Sequence, residues 1–471
     1  MTGPLKRSGL SYNHLRESLK NTPLFKGKTW RLAPHSWPLS SSLVRDIETL
    51  GQACLDFLKA LETLYLRSLG NKKLLRNEIL MAPWVANYLD RGKPRYLVEH
   101  GRHKKIRGQL PLVLRPDLLL TEDGLALTEI DSVPGGIGLT AFLNRLYGQV
   151  EGGIVGEGDL MLHRFYDALA SLAPHRHAPF IAIVVSDEAS TYRPEMDWIC
   201  QELQQQGRRV FCFHPDEIYP LGGVLHASLD GNPERIDVIY RFFELFDLPG
   251  LKTVPYYFEA LDQEEVELSP PMRPFQEEKL GLALFHHRKL SQFWRENMPR
   301  TSFRALARAL PRSWIMDPTP LPPTAVLDAP LVGGNPIQEW ADLANASQRE
   351  RKLIIKISGF HETAWGARSV ILGSDSSREV WSRGIQRAVA MSGSHLHILQ
   401  EYRKPKRIPH RIYASPDESF DMQGRLRLCP YFFVRRGRAE LSGVLATFCP
   451  ADKKIIHGMR DAAMLPCRRA D

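Results

Sequence analysis

The sequence predicts a multidomain chain of mixed α+β and α/β character, and three observations predict it. Leucines and other apolar residues in 43–69 recur at three- and four-residue spacing, the pattern of an amphipathic helix. Residues 180–213 read as strand, loop, helix, glycine turn and strand, a β-α-β unit with parallel strands. Two further stretches, 113–130 and 425–450, alternate in the manner of antiparallel strands. At 471 residues the chain exceeds one hydrophobic core and divides into two to four domains.

Taken in order, residues 1–100 read mainly as helix, with Leu50, Leu55, Phe57, Leu58, Leu61, Leu64 and Leu66 on the apolar stripe of 43–69. A hairpin follows at 113–130, with Asp123-Gly124 as its turn. Past Pro134-Gly135-Gly136, "LTAFLNRLYG" starts a helix that Gly148 ends. In the β-α-β unit the strands are 180–185 and 209–213, Gly207 makes the turn, and 236–245 reads as a third strand. The loop "SDEASTYRPE" lies at the carboxyl end of that sheet, where open α/β domains bind ligands. It lacks G-x-G-x-x-G, which argues against a dinucleotide. Beyond, 275–294 reads as helix, 318–334 as a proline-rich surface loop, "RKLIIKISGF" as a strand, "REVWSRGIQRAVAM" as a helix and "LHILQEYR" as a second strand.

Composition excludes some classes. With 43% hydrophobic and 24% charged residues the chain is of ordinary globular make-up. Its apolar runs fall far short of the roughly 20 residues that span a bilayer, and its first 27 residues carry no apolar signal core. A cytoplasmic protein is the expectation. Six scattered cysteines without C-x-x-C spacing predict buried, reduced thiols rather than a zinc site or disulfide framework. A net charge of +9 suits anionic partners. The densest basic run, Arg102, His103, Lys104, Lys105 and Arg107, is either a solvated loop or a rim that draws an anionic substrate. No aromatics interleave with it, so a single-stranded nucleic-acid groove is disfavoured.

The chemistry gathers in "RPDLLLTEDGLALTEIDSVPGGIG". Glu129 and Asp131, two apart on a strand, share a face. Pairing 118 with 129 across the turn leaves Asp117 opposite Ile130, and a one-residue bulge would bring it onto the same face. Three such carboxylates repel one another unless a cation sits between them. Hard oxygen donors at this density suit Mg²⁺, although a pair of solvated strand ends would read the same way. In the second half, Lys356 sits in the apolar strand "LIIKI" that enters a loop from Gly359 to Gly366. Burying that lysine is costly without an anion, which a nucleotide phosphate under the loop's N–H groups would supply. Some forty residues on, Gln400-Glu401-Tyr402 ends an apolar strand whose backbone suits an adenine.

At these residues the sequence resembles the glutathionylspermidine synthetase-like family, whose fold is a circularly permuted ATP-grasp. Arg115, Asp117 and Glu129 match the family's Arg-x-Asp and Glu, and Asp131 stands where the family has Asn. Lys279 in "EKLGLALFH" and Lys356 match its two nucleotide lysines, with Lys289 a rival for the first. The Gly-Arg pair that opens the family's glycine loop is replaced here by "SGFHET", while Gly366 matches the loop's end.

The resemblance implies a circularly permuted ATP-grasp with an inserted Rossmann-like pre-ATP-grasp domain. Its parts would be 1–170 (helical region plus metal-binding half), 171–260 (β-α-β domain) and 261–471 (nucleotide-binding half). It implies an ATP-dependent carboxylate–amine ligase working through an acyl phosphate, with ATP and Mg²⁺ as cofactors and a small-molecule or peptide acid and an amine as partners. Asp117, Glu129 and Asp131 would hold the metal, and Lys279, Lys356, Gly359, Gly366, Gln400, Glu401 and Tyr402 the nucleotide. Arg115 would be catalytic, on the transferring phosphoryl group or the substrate carboxylate. Pro134, Gly135 and Gly136 would wrap the acyl phosphate, and Tyr192, Arg193, Arg241 and Glu244 are candidates for acceptor recognition. The rival readings are an ATP-grasp kinase of a hydroxyl substrate and a non-catalytic basic nucleotide- or RNA-binding protein.

Overall fold

The structure is a computed structural model that describes residues 9–76, 79–319, 328–364, 368–458 and 460–470. These residues fall into two units: one comprises 1–52, 110–271 and 404–471, the other 53–109 and 272–403.

The first unit is built on a seven-stranded sheet. Its order is Trp37–Ser40, Ala463–Ala470, Arg438–Pro450, Glu418–Arg435, Val113–Thr121, Gly124–Asp131, with Ile408–Ser415 also paired to Glu418–Arg435. The long hairpin Glu418–Arg435/Arg438–Pro450 turns at Arg436 and Gly437, both at positive φ (49° and 75°), as a two-residue hairpin turn requires. The expected antiparallel reading of this stretch holds. Trp37–Ser40 was not expected: it pairs in parallel with Ala463–Ala470, in a region that reads mainly as helix.

The acidic hairpin forms, two residues out of the expected register. Its tip is Glu122-Asp123, Thr121 faces Gly124, and Leu118 faces Leu127 rather than Glu129. Gly124 at φ +109° closes the turn from the first position of the return strand, which explains the shift. The register then slips between Leu118 and Asp117, leaving Thr128 unmatched, so that Asp117 faces Glu129 and Arg115 faces Asp131. The bulge the carboxylates need is present. After it, helix Ile137–Gly148 starts directly at Gly136 (φ +94°).

The β-α-β unit carries four parallel strands in the order Glu267–Ser269, Val238–Phe242, Ile181–Val185, Val210–Phe213. Helix Arg193–Gln205 follows the first of them in sequence, with Pro194 in its first turn and Gly207 (φ +75°) after its end. A small antiparallel sheet, Ile218–Leu221, Val224–Leu229 and Asn232–Arg235, was not anticipated.

The second unit centres on a four-stranded antiparallel sheet ordered Ser313–Met316, His397–Glu401, Leu353–Ile357, Ile371–Leu372. Ile355, Leu399, Trp381, Ile385 and Trp340 form its core against helix Arg378–Ala390. The helix expected at 275–294 is two helices, Leu280–His286 and Ser291–Asn297. His287 leaves helical geometry and its ring packs on Trp84 at 4.7 Å, while the Leu284 carbonyl accepts both the His287 N–H at 3.1 Å and the Trp294 indole N–H at 3.0 Å. Of the proline-rich loop, 320–327 lie outside the described residues, and Leu331–Val332 is not loop but a short strand paired with Asn335–Pro336. Among the described residues no helix is long and apolar enough to cross a membrane. All six cysteines are free thiols.

Candidate functional site

The candidate residues divide between the two units, and in the first unit they gather around Arg115. Its Nε donates to Asp117 Oδ1 at 2.9 Å, its Nη2 pairs with Asp131 Oδ2 at 3.0 Å, and its Nη1 donates to the Gly135 carbonyl at 3.1 Å. The repulsion expected among the acids is thus relieved from within the chain, by a guanidinium. Asp117 is 5% exposed and takes a second one: Arg427 Nη1 lies 3.0 Å from Oδ2, and the Cys429 thiol donates to Oδ1 at 3.5 Å. Burial raises the Asp117 carboxyl, but Arg115 and Arg427 outweigh it and hold the group below its ordinary 3.8. Asp131 goes the other way. Burial and the neighbouring charge of Glu129 push it above 3.8, against the pull of Arg115. Burial also pushes the Cys429 thiol up to about 11, so it remains a donor at neutral pH.

The donor chemistry of these acids suits magnesium, but their geometry is not that of a metal cage. Both oxygens of Asp117 are engaged by arginines, and Asp131 spends its oxygens on Arg115 and on the Val133 amide (2.9 Å). Among the described residues no three His, Cys, Asp or Glu side chains form a metal-holding group. As folded, the acids do not fit a resident metal ion.

The Pro134-Gly135-Gly136 loop was expected to offer its N–H groups to an anion, and it does so to one of the protein's own. Glu195, in the first turn of helix Arg193–Gln205, accepts the amides of Gly136 (Oε2, 3.0 Å) and Gly138 (Oε1, 2.8 Å). Burial pushes its carboxyl above the ordinary 4.5, against those hydrogen bonds, which favour the charged form. The Gly135 carbonyl accepts the Tyr431 hydroxyl at 2.8 Å. Glycine is required at 135, because a Cβ there would lie 2.2 Å from the Tyr192 ring.

The acceptor candidates have structural engagements. Arg241 is fully buried, and its Nη1 and Nε donate to the Phe243 (2.5 Å) and Pro270 (3.3 Å) carbonyls. Arg193 donates to the Cys212 carbonyl at 3.3 Å, and Glu244 caps the short helix Leu245–Gly250. Tyr192 packs edge-on to Phe242. Arg427, Cys429, Tyr431 and Glu195 were missed in the sequence: no local signal marks them, since each meets the hairpin only through tertiary pairing.

In the second unit the lysines share one framework. Lys356, 7% exposed, donates from Nζ to Gln400 Oε1 at 3.0 Å. Two residues on, Ser358 accepts the backbone N–H of Lys279 on its carbonyl (3.0 Å) and that of Leu280 on its hydroxyl (2.8 Å). The Lys279 ammonium donates to the Ala364 carbonyl at 2.8 Å, inside the glycine-bearing loop. Lys289, by contrast, is exposed in the short turn Arg288–Leu290. Glu278, also unforeseen, accepts the Ser358 hydroxyl and pairs with buried Lys93 at 2.7 Å, and a Cβ on Gly359 would come 3.1 Å from its carboxylate. Gly366 lies outside the described residues.

At the expected adenine end the amides are spent: Glu401 N–H goes to the Arg312 carbonyl (2.8 Å) and Tyr402 N–H to the Lys352 carbonyl (2.9 Å). A base would have to be read there by acceptors rather than by these two donors. Gln400 Nε2 donates to Ser313 Oγ at 3.1 Å, which aims its oxygen at Lys356.

No family model matches the chain. No curated protein matches it either. Among solved structures it is similar to a glutathione synthetase-like effector from Globodera pallida, solved in apo form. The TM-score is 0.53 at 11% identity, over 97% of this chain and 96% of that one. A second structure, of a protein assigned as a gamma-glutamylcysteine synthetase from Methylobacillus flagellatus KT, is 12% identical. It covers 92% of this chain and 89% of its own with a TM-score of 0.43. The chain therefore defines itself by class: a mixed α/β protein of several sheets with the fold of a glutathione synthetase-like protein.

Proposed function

We propose that this protein is an ATP-dependent carboxylate–amine ligase, forming an amide on a small molecule or peptide through an acyl phosphate. The observation that carries the reading is the lysine framework: Lys356 lies on a buried strand two residues before Ser358, and Lys279 stands at a helix start whose backbone N–H bonds the Ser358 carbonyl, at the mouth of a glycine-bearing loop. Two ammoniums beside such a loop suit the phosphates of a nucleotide. The glutathione synthetase-like fold agrees with that reading.

In the reaction a carboxylate oxygen attacks the γ-phosphorus of ATP and ADP leaves. The amine then attacks the acyl carbon, the C–N bond forms, phosphate departs and the amine gives up a proton. Lys279 and Lys356 neutralise phosphate charge, and Arg115 and Arg427 supply guanidiniums that complement a carboxylate or transferring phosphoryl group. Magnesium enters only as part of the Mg–ATP substrate, and no step is assigned to the carboxylates of Asp117 and Asp131, whose oxygens are held by arginines and the Val133 amide. Permuted ATP-grasp topology with an inserted Rossmann-like domain belongs to the same reading.

A second reading, a non-catalytic nucleotide-binding protein, is favoured by one observation: both oxygens of Asp117 are held by arginines. The deciding experiment is an ADP-release screen with Mg–ATP over amino acids, peptides and polyamines, with mass spectrometry of products. Ligase activity yields ADP, phosphate and a condensate lighter by one water than its two parts. A phosphorylated hydroxyl compound would mean a kinase, and ATP binding without turnover the binding protein.

A further inference from the structure

One peptide group in the first unit is gripped at both ends. The N–H of Gly136 and the C=O of Gly135 belong to the same planar unit. Its N–H donates to Glu195 Oε2 at 3.0 Å, and its C=O accepts Arg115 Nη1 at 3.1 Å and Tyr431 Oη at 2.8 Å. The space around it admits only glycine: a Cβ on Gly135 would meet Tyr192 Cε1 at 2.2 Å, and one on Gly136 would meet Tyr431 Oη at 2.2 Å. Gly138, whose amide goes to the other Glu195 oxygen at 2.8 Å, is packed against the same side chain, where a Cβ would lie 2.9 Å from Glu195 Cγ.

A carboxylate on the N–H of an amide makes its carbonyl a better acceptor, and bonds in such a chain strengthen one another in a low-dielectric setting. Arg115 has a rigid planar fork, so fixing one of its nitrogens orients the rest. Here the remaining two meet Asp117 and Asp131 at 2.9 and 3.0 Å. The path therefore runs from Glu195, on a helix of the β-α-β unit, through one peptide plane to the guanidinium at the centre of the acidic hairpin.

We propose that Glu195 is a positioning residue for Arg115, acting through the Gly135–Gly136 peptide. The proposal deepens the ligase reading by naming what aims its central arginine, and it rests on that reading only for the kinetic part of its test. A plain helix cap would make the same bonds to Gly136 and Gly138, so the test must separate a cap from a relay.

The first arm needs no activity. In glycine-labelled full-length protein, Arg115→Met should shift the amide resonance of Gly136, whose peptide carbonyl loses a donor, and leave that of Gly138 in place. Equal shifts, or none, overturn the relay. In urea unfolding, the Glu195→Gln/Arg115→Met double variant should lose at least fivefold less in folding equilibrium constant than the single losses multiplied together. Multiplicative losses within twofold overturn it. Glu195→Asp, which keeps the charge and shortens the reach, serves in the same cycle if the glutamine variant does not fold.

The second arm is kinetic. Glu195→Gln should lower kcat at least tenfold while KM for ATP stays within twofold, because Lys279 and Lys356 are untouched. Unchanged kcat, or a loss confined to KM for ATP, overturns the proposal. A wild-type protein without turnover sinks the ligase reading alone, and the first arm still decides the role of Glu195.

Discussion

The acidic hairpin and the lysine-bearing sheet handle buried charge differently. Around Asp117 the charges are matched like with unlike: two guanidiniums on one carboxylate, one of them shared with Asp131. In the second unit the Lys356 ammonium, on the sheet, donates to the Gln400 side-chain oxygen, and the Lys279 ammonium, at a helix start, donates to the Ala364 carbonyl. Charge matched at close range is a structural commitment, because removing one member leaves the others desolvated and unmatched. An ammonium that donates to an amide or carbonyl oxygen can still gain from an arriving anion. The hairpin should therefore answer mutation mainly through stability, and the lysine sheet mainly through binding.

The largest expected effect tests the first half of that contrast. Asp117→Asn leaves Arg115 and Arg427 without their shared carboxylate and should cost about 3–5 kcal/mol of unfolding free energy. A urea-denaturation loss below about 1 kcal/mol would break the comparison at its root. Next, Lys356→Met should weaken a non-hydrolysable ATP analogue at least tenfold by calorimetry, about 1.4 kcal/mol or more. Its unfolding midpoint should move much less than that of Asp117→Asn. A large midpoint shift with unchanged affinity would mean that both regions are structural.

Acid should separate the units. In the second unit, burial lowers His286, His287 and His397 from 6.5 to about 4. In the first unit His410 is likewise at about 4. The folded value lies below the unfolded one, so the unfolded chain takes up the proton first. Stability is full above about pH 6.5 and is lost as pH falls toward about 4. Hydrogen exchange across that window should show the second unit opening first, and simultaneous opening would remove the distinction.

The smallest effect concerns Asp247, raised by burial from 3.8 to about 6. Here the folded chain binds the proton more tightly, so its contribution falls as pH rises from 3.8 to about 6 and is constant above. Asp247→Asn should flatten that segment of the stability profile. An unaltered slope would place the titration elsewhere.

What the sequence revealed follows the range of each interaction. The hairpin was legible because Asp-Gly and flanking alternation are local signals, and even its bulge could be anticipated from the need to bring Asp117 beside Glu129. The strand around Lys356 and helix Arg378–Ala390 were legible for the same reason. Arg427 was not: "RLRLCPYFF" alternates like any half-exposed strand, and only its pairing with Leu119, some three hundred residues earlier, turns Arg427 toward Asp117. Glu195 looked like an ordinary acid in a first helical turn, since nothing local says that its carboxylate serves a different helix. "WPLS" at Trp37–Ser40 was too short, and carried a proline, to be read as a strand at all.

The pairing of Val113–Thr121 with Glu418–Arg435 has a consequence for biogenesis. Leu119 is made 308 residues before Arg427, its partner in the ladder. At about 5–20 residues per second the completed hairpin waits roughly 15–60 s on the ribosome. Throughout that interval Val113–Thr121 is an unclaimed strand edge rich in leucine, the kind of surface that recruits stray strands. Carboxylates and an arginine at its open end would keep that edge charged during the wait. The residues that define the site would thus also guard the nascent chain against aggregation before the site exists.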